Sequence, residues 1–297
     1  MDRSADIVEK FGYLSVGVRD LDEAVEFYSR IARLEVTERN DRTVYMTGGP
    51  EHHWLRLEEG GQPGVRRIAY ELVDDHALDV VRDRLNARGI ACDEGSDSGG
   101  EHVQHWLRFT SPDGTHMELY RGMRERGVAP DSPIGFERLL HAGWKTADFA
   151  GTTEFYQDVL GFRASDWIGD IAGFFRVANR FHHSAAILSA DRAAFDHVCI
   201  QVDSLDDVMR LRSNAQRFGV KFRSDLLRHA PSGSIGIYLH DEARGYAVEF
   251  CIGHPQVDNG EHRPRMLEMA PETRDVWSAP LPEPRAMVVR DNAGLTL

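Results

Sequence analysis

Residues 13–34 and 141–162 are two copies of one segment, held at a constant offset of 128 residues. YLSVGVRDLDEAVEFYSRIARL lies over HAGWKTADFAGTTEFYQDVLGF, with Asp20 on Asp148 and the triplet Glu26-Phe27-Tyr28 on Glu154-Phe155-Tyr156. A chain that repeats itself in this way must use one supersecondary unit more than once, which removes most topologies from consideration. Each copy opens as a strand, turns at its Asp, and continues as a helix with apolar residues three and four apart: Ala24, Phe27 and Tyr28 in one copy, Phe155, Tyr156 and Val159 in the other. Short alternating strand candidates follow, RTVYM and HWLRL in the first half, GFFRV and SAAIL in the second.

A weaker echo runs inside each half. RIAYELVDDHALDVVRDRLNARGI and HVCIQVDSLDDVMRLRSNAQRFGV both read as strand, Asp-containing turn, helix and Gly-ended cap. The pattern predicts an α+β chain of four βαβββ modules in two pairs. The halves close alike, at THMELYRG (115–122) and YAVEFCIG (246–253), and RERGVAPDSPIG between them has the Pro, Gly and charge of a linker. Domains of residues 1–127 and 128–297 are therefore expected. The tail beyond Gly253, with Pro255, Pro264, Pro271, Pro280, Pro282 and Pro284, is expected to wrap the second domain.

Composition narrows the function. A formal net charge of −13 with no basic stripe argues against a nucleic-acid surface. No apolar run approaches the roughly 18 residues of a membrane span, and MDRSADIVEK has no signal-peptide character, so a cytoplasmic protein is expected. Cys92, Cys199 and Cys251 are odd in number and lack a CxxC pattern, which favours buried free thiols over disulfides or a thiolate zinc site.

Chemistry is sought where a polar residue stands in a strand that should be apolar. His141 opens the first strand of the third module in LLHAGW, His197 that of the fourth in AFDHVCIQV, and Glu249 lies in the last strand, YAVEFCI. A lone buried carboxylate is costly unless a cation or donors compensate it, and one shared metal explains all three. Two neutral imidazoles and one carboxylate on one face of a divalent ion leave positions open for substrate and dioxygen, as in non-haem iron(II) oxygenases. The first half is an internal control: its counterparts are Tyr13, approximately Ile68, and Glu118, so it is expected to lack a metal, with Glu118 surface-facing or hydrogen-bonded.

With these residues in place, the chain resembles the type I extradiol dioxygenases of the vicinal oxygen chelate superfamily, over essentially its whole length. That family carries a His, an aromatic-Tyr pair, an Asp-Pro-x-Gly turn and the metal Glu; here His229, Ile237-Tyr238, Asp241, Gly245 and Glu249 stand in that order. Glu242 replaces the Pro, and the DEARG turn is one residue longer, which puts its loop geometry and substrate access in question. The resemblance implies His141, His197 and Glu249 as ligands of Fe(II), with Mn(II) as an alternative. It implies a substituted catechol and O2 as substrates, in the degradation of aromatic compounds, and a homo-oligomer. It further implies Tyr238 and His229 as hydrogen-bonding residues and one of His182 and His183 as general base; strand alternation allows only one to face the metal, and the His-Ser-x-Ala pattern selects His183. The remaining histidines, among them His102 and His254, are expected to be solvated or structural. Two other readings keep the fold: a glyoxalase or isomerase-type lyase using another metal, and a metal-free binding protein.

Overall fold

The computed structural model describes residues 6–97, 100–128, 130–258 and 260–280. The first half contains β1 (Val8–Val18), α1 (Leu21–Glu26), β2 (Glu35–Arg39), β3 (Thr43–Thr47), β4 (Leu55–Glu59), β5 (Gly64–Leu72), α2 (Asp75–Ala87), β6 (Cys92–Ser96), β7 (Val103–Thr110) and β8 (His116–Met123). The second contains β9 (Phe136–Thr146), α3 (Phe149–Leu160), β10 (Arg163–Ile168), β11 (Ala172–Arg176), β12 (Ala185–Ser189), β13 (Ala194–Val202), α4 (Leu205–Arg217), β14 (Phe222–Arg228), β15 (Ile235–Asp241), β16 (Tyr246–Ile252), β17 (Arg265–Leu267) and α5 (Pro271–Arg274). This is the expected βαβββ order, four times over.

The two sheets share one topology. The first runs β2-β3-β4-β1-β5-β8-β7-β6, and the second runs β10-β11-β12-β9-β13-β16-β15-β14 with β17 added beyond β10. Within each, the two modules meet through one antiparallel pair, β1 with β5 and β9 with β13. The repeated Asp caps its helix in both copies: Asp20 accepts from Asp22 N and Glu23 N, and Asp148 from Gly151 N. The copies then diverge. α3 runs regularly to Gly161, whose φ of +70° ends it in the left-handed region. The first-half helix passes instead into a π-helical turn at Phe27–Ile31, and Arg33, the counterpart of Gly161, holds a φ of +62° despite its side chain.

One apolar cluster runs through both halves, from Ile7 to Phe250, with Trp54 packed edge-on to Phe136 and Tyr70 to Phe162. Cys199 and Cys251 are buried free thiols, whereas Cys92 is half-exposed. In the tail, β17 and α5 lie against the second half, β17 pairing with β10; Pro282 and Pro284 fall outside the described residues. Among the described residues no helix is long and apolar enough to cross a membrane.

Candidate metal centre

Five successive strands of the second sheet assemble one buried constellation. In the order β14-β15-β16-β13-β9, His229 follows β14, Tyr238 lies on β15, Glu249 on β16, His197 on β13 and His141 on β9. Register sets them level: Tyr238 is paired with Glu249, Cys199 with both Glu249 and His141, and His197 with Gly143. His141 does not open its strand; it sits in the middle of an eleven-residue one, and His197 is the fourth residue of β13.

His141 Nε2, His197 Nε2 and Glu249 Oε2 converge, at 3.0 Å between the imidazoles and 3.2 and 3.5 Å from each to the carboxylate. Three atoms each bonded at about 2.1 Å to one ion stand roughly 3 Å apart, so the spacing suits a first-row divalent metal. All three residues are buried, and Glu249 Oε2 has no hydrogen-bond donor. Burial lowers the His141 pKa to about 4, keeping it neutral, as ligation requires. Burial pushes Glu249 up, but His141 and His229 overrule it and hold the carboxyl well below its usual range. The donor set and its charge therefore fit a dication.

Two features position His197. Its Nδ1 meets Asp196 Oδ2 at 2.7 Å, and Asp196 is in turn held by Lys145 Nζ at 2.8 Å and Arg223 Nη1 at 2.9 Å. Beneath the ring lies Gly143, where a Cβ would come within 2.2 Å of His197 Cε1. Sequence reading missed both residues, although Asp196 directly precedes the histidine.

A cavity of about 580 Å³ opens over these groups. Its wall includes Ile168, Phe174, Leu188 and Leu227, and His183 faces it with its ring 4.2 Å from that of His141. His182 and His183 are not strand residues on alternating faces; they lie in the bend between β11 and β12, both buried, and their Nδ1 atoms meet at 3.1 Å. His182 points away, toward Asp166 Oδ2 at 2.9 Å. Burial and the neighbouring His141 hold His183 well below the ordinary histidine range, so its ring is neutral. Across the cavity, His229 Nδ1 donates to the Arg274 carbonyl at 3.0 Å, and its Nε2 meets the Tyr238 hydroxyl at 2.8 Å. Thr273 and Arg274 of α5 also line the cavity, so the tail contributes to the site rather than merely covering the domain. His254, expected to be solvated or structural, is buried against His141 and His183 and accepts the His183 backbone N–H at 3.2 Å.

The altered turn has a different place from the one anticipated. Asp241 and Arg244 do not line the cavity; they face the first half, where Asp241 Oδ2 accepts from Tyr28 O–H at 2.7 Å and Arg244 pairs with Glu23. Glu249 is the fourth residue of β16, beyond the turn, and stands in register with Tyr238.

In the first half, register corrects the counterpart of His197. Tyr13 pairs with Ala69 as His141 does with Cys199, and Ser15 pairs with Arg67 as Gly143 does with His197. Arg67, not Ile68, occupies the position. Glu118 is fully buried and takes Tyr13 O–H on one oxygen, with Arg67 at 2.9 Å and Arg108 at 2.6 Å on the other. Guanidinium groups supply there the positive charge that the second half is built to take from a metal.

Residues 10–119 and 138–250 match the Glyoxalase/Bleomycin resistance protein/Dioxygenase superfamily. Among curated relatives, a manganese-dependent 2,3-dihydroxybiphenyl 1,2-dioxygenase of Geobacillus genomosp. 3 is 22% identical, covering 83% of this chain and 85% of its own. An iron-dependent extradiol dioxygenase of Rhodococcus jostii is 29% identical, covering 64% and 70%. Among solved structures, the Mn(II)-bound glyoxalase from Novosphingobium aromaticivorans is 25% identical with a TM-score of 0.81, covering 94% of this chain and 93% of its own. Homoprotocatechuate 2,3-dioxygenase from Arthrobacter globiformis shares the fold at 20% identity and a TM-score of 0.84, covering 92% and 89%.

Proposed function

Both halves of the chain belong to the Glyoxalase/Bleomycin resistance protein/Dioxygenase superfamily, and from that premise we propose that the protein is an extradiol dioxygenase that opens the ring of a substituted catechol with O2. The observation that carries this reading is the His229–Tyr238 pair beside the two-histidine, one-carboxylate cluster, with His229 Nε2 3.7 Å from Glu249 Oε1. Lyases and isomerases of the same fold usually lack this hydrogen-bonding pair.

His141, His197 and Glu249 would hold Fe(II) or Mn(II), which when bound supplies adjacent sites for catechol and dioxygen and the electron transfer between them. The remaining work falls to the protein. His183 takes the hydroxyl proton of the incoming catechol on its free ring nitrogen and later returns it. Tyr238 and His229, locked together and tied to the tail through Arg274, orient the diol oxygens along the Glu249 side of the cavity. The apolar wall of Ile168, Phe174, Leu188 and Leu227 seats the ring substituent and excludes water. Residues 1–127 form a metal-free domain in this reading and residues 128–297 the catalytic one, in a cytoplasmic homo-oligomer serving the breakdown of aromatic compounds.

The test is anaerobic loading of metal-stripped protein with Fe(II) or Mn(II), followed by air and a panel of 3- and 4-substituted catechols. Oxygen uptake with a visible-absorbing, ring-opened product is expected. The likeness to a Mn(II)-bound glyoxalase favours a metal-dependent lyase as the second reading; it gains if no catechol consumes oxygen while a thiol hemiacetal is isomerised. Protein that retains neither metal after loading supports the binding-protein reading instead.

A further inference from the structure

The carboxylate of Asp166 is fully buried on β10 and meets His182 Nε2 at 2.9 Å, while His182 Nδ1 meets His183 Nδ1 at 3.1 Å. An ionised carboxylate can only accept, so His182 Nε2–H donates to it. The neutral His182 ring then offers its Nδ1 only as an acceptor, and His183 must donate from Nδ1–H. That leaves the lone pair of His183 on Nε2, the nitrogen not engaged by His182. We propose that Asp166 and His182 are positioning residues that fix the tautomer of His183 and so place its basic nitrogen in the cavity. The inference rests on the reading of His183 as the proton acceptor.

The internal duplication separates this role from a merely structural one. Glu38 stands where Asp166 does, opposite Tyr45 as Asp166 is opposite Phe174, and His52 and His53 repeat the histidine pair with the same 3.1 Å contact. In the first half Glu38 lies 3.6 Å from both His52 and His102, and its side chain is 43% exposed. Only the second half tightens the chain. It does so through β17, which among the described residues has no counterpart in the first sheet: Arg265 is in register with Asp166 and binds it through backbone N at 2.9 Å, Nε at 3.0 Å and Nη2. Pinned by Arg265, the carboxylate stays charged and its geometry is carried through two rings to the cavity. Burial also lowers His182 below the ordinary histidine value, which keeps the intermediate ring neutral.

The experiment is nitrogen-15 NMR of histidine-labelled, metal-free full-length protein, with the His183 signals assigned by their loss in His183→Ala, joined to kinetics of the metal-loaded enzyme on a catechol. Wild type is expected to show His183 protonated on Nδ1. His182→Leu should give mixed tautomers and lower kcat by about 10- to 100-fold, with metal content unchanged and KM within about twofold. His182→Asn, whose amide oxygen stands near the lost Nδ1, should restore the tautomer and most of kcat. A wild-type His183 protonated on Nε2, or a tautomer unaltered in His182→Leu, overturns the inference. Full activity in His183→Ala overturns instead the underlying reading of that residue, whatever its tautomer.

Discussion

At the scale of single residues, the metal centre depends on groups that do not ligate. Gly143 leaves room for the His197 ring, since any Cβ there would lie 2.2 Å from Cε1. Gly143→Ala is therefore expected to displace the imidazole and weaken Mn(II) binding by tenfold or more, read by metal titration of stripped protein; an unchanged affinity would sink the packing argument. Asp196 sets the orientation of the same ring through its 2.7 Å contact. Asp196→Ala should cost about 10- to 100-fold in metal affinity, as outer partners of metal-bound histidines generally do, while the fold survives. Asp166 adds a pH signature. Burial opposes its charge, but hydrogen bonds from His182 and Arg265 win and lower its pKa to about 2. A depressed folded value means stability that is complete above the unfolded value near 4 and lost as pH falls toward 2, on the order of 2 kcal/mol. The stability difference between wild type and Asp166→Asn in urea should accordingly shrink by about that amount between pH 5 and pH 2.

At the scale of elements, the same three strands solve one electrostatic problem twice. On β8, β5 and β1 the buried Glu118 is neutralised by Arg67, with Arg108 from β7 and the Tyr13 hydroxyl beside it. On β16, β13 and β9 the equivalent Glu249 faces the imidazoles of His141 and His197 and keeps one oxygen without a donor. Removing Arg67 should thus destabilise without touching the metal: Arg67→Met is expected to lower the unfolding free energy by about 2 kcal/mol, the worth of a hydrogen bond to a buried charge, with metal content per chain unchanged. A urea midpoint equal to wild type would contradict it. β17 is the other element-level difference, because three residues suffice to lay Arg265 along β10.

For the whole molecule, the repeated Glu-Phe-Tyr triplet acquires a reason. Tyr28, from the first copy, reaches across to Asp241 at the end of β15, and Tyr156, from the second, reaches Ser111 just past the end of β7 at 3.1 Å. Each half thereby plants one tyrosine in the other, around a shared apolar cluster. Tyr28→Phe and Tyr156→Phe should each cost about 1 kcal/mol and add in the double variant, since they share no partner. Unfolding should remain a single transition; two resolved transitions would show that the halves are energetically separate.

Patterns among neighbouring residues are enough to specify the architecture and the ligand candidates. The 128-residue repeat and its inner echo specify four modules, because hydrophobic period and capping are local properties written in neighbouring residues. His141, His197 and Glu249 were legible because polar residues in apolar strands are conspicuous. The inner echo lays Arg67 under His197, one residue from the Ile68 expected there. Strand register and contact between distant segments settle the rest: Arg67 in the place of a histidine, Gly143 yielding to a ring, Arg265 on Asp166, the tail carbonyl on His229, and the DEARG turn serving the junction between halves. A one-residue slip in register moves a side chain to the opposite face, and no local pattern encodes which far segment will stand beside it.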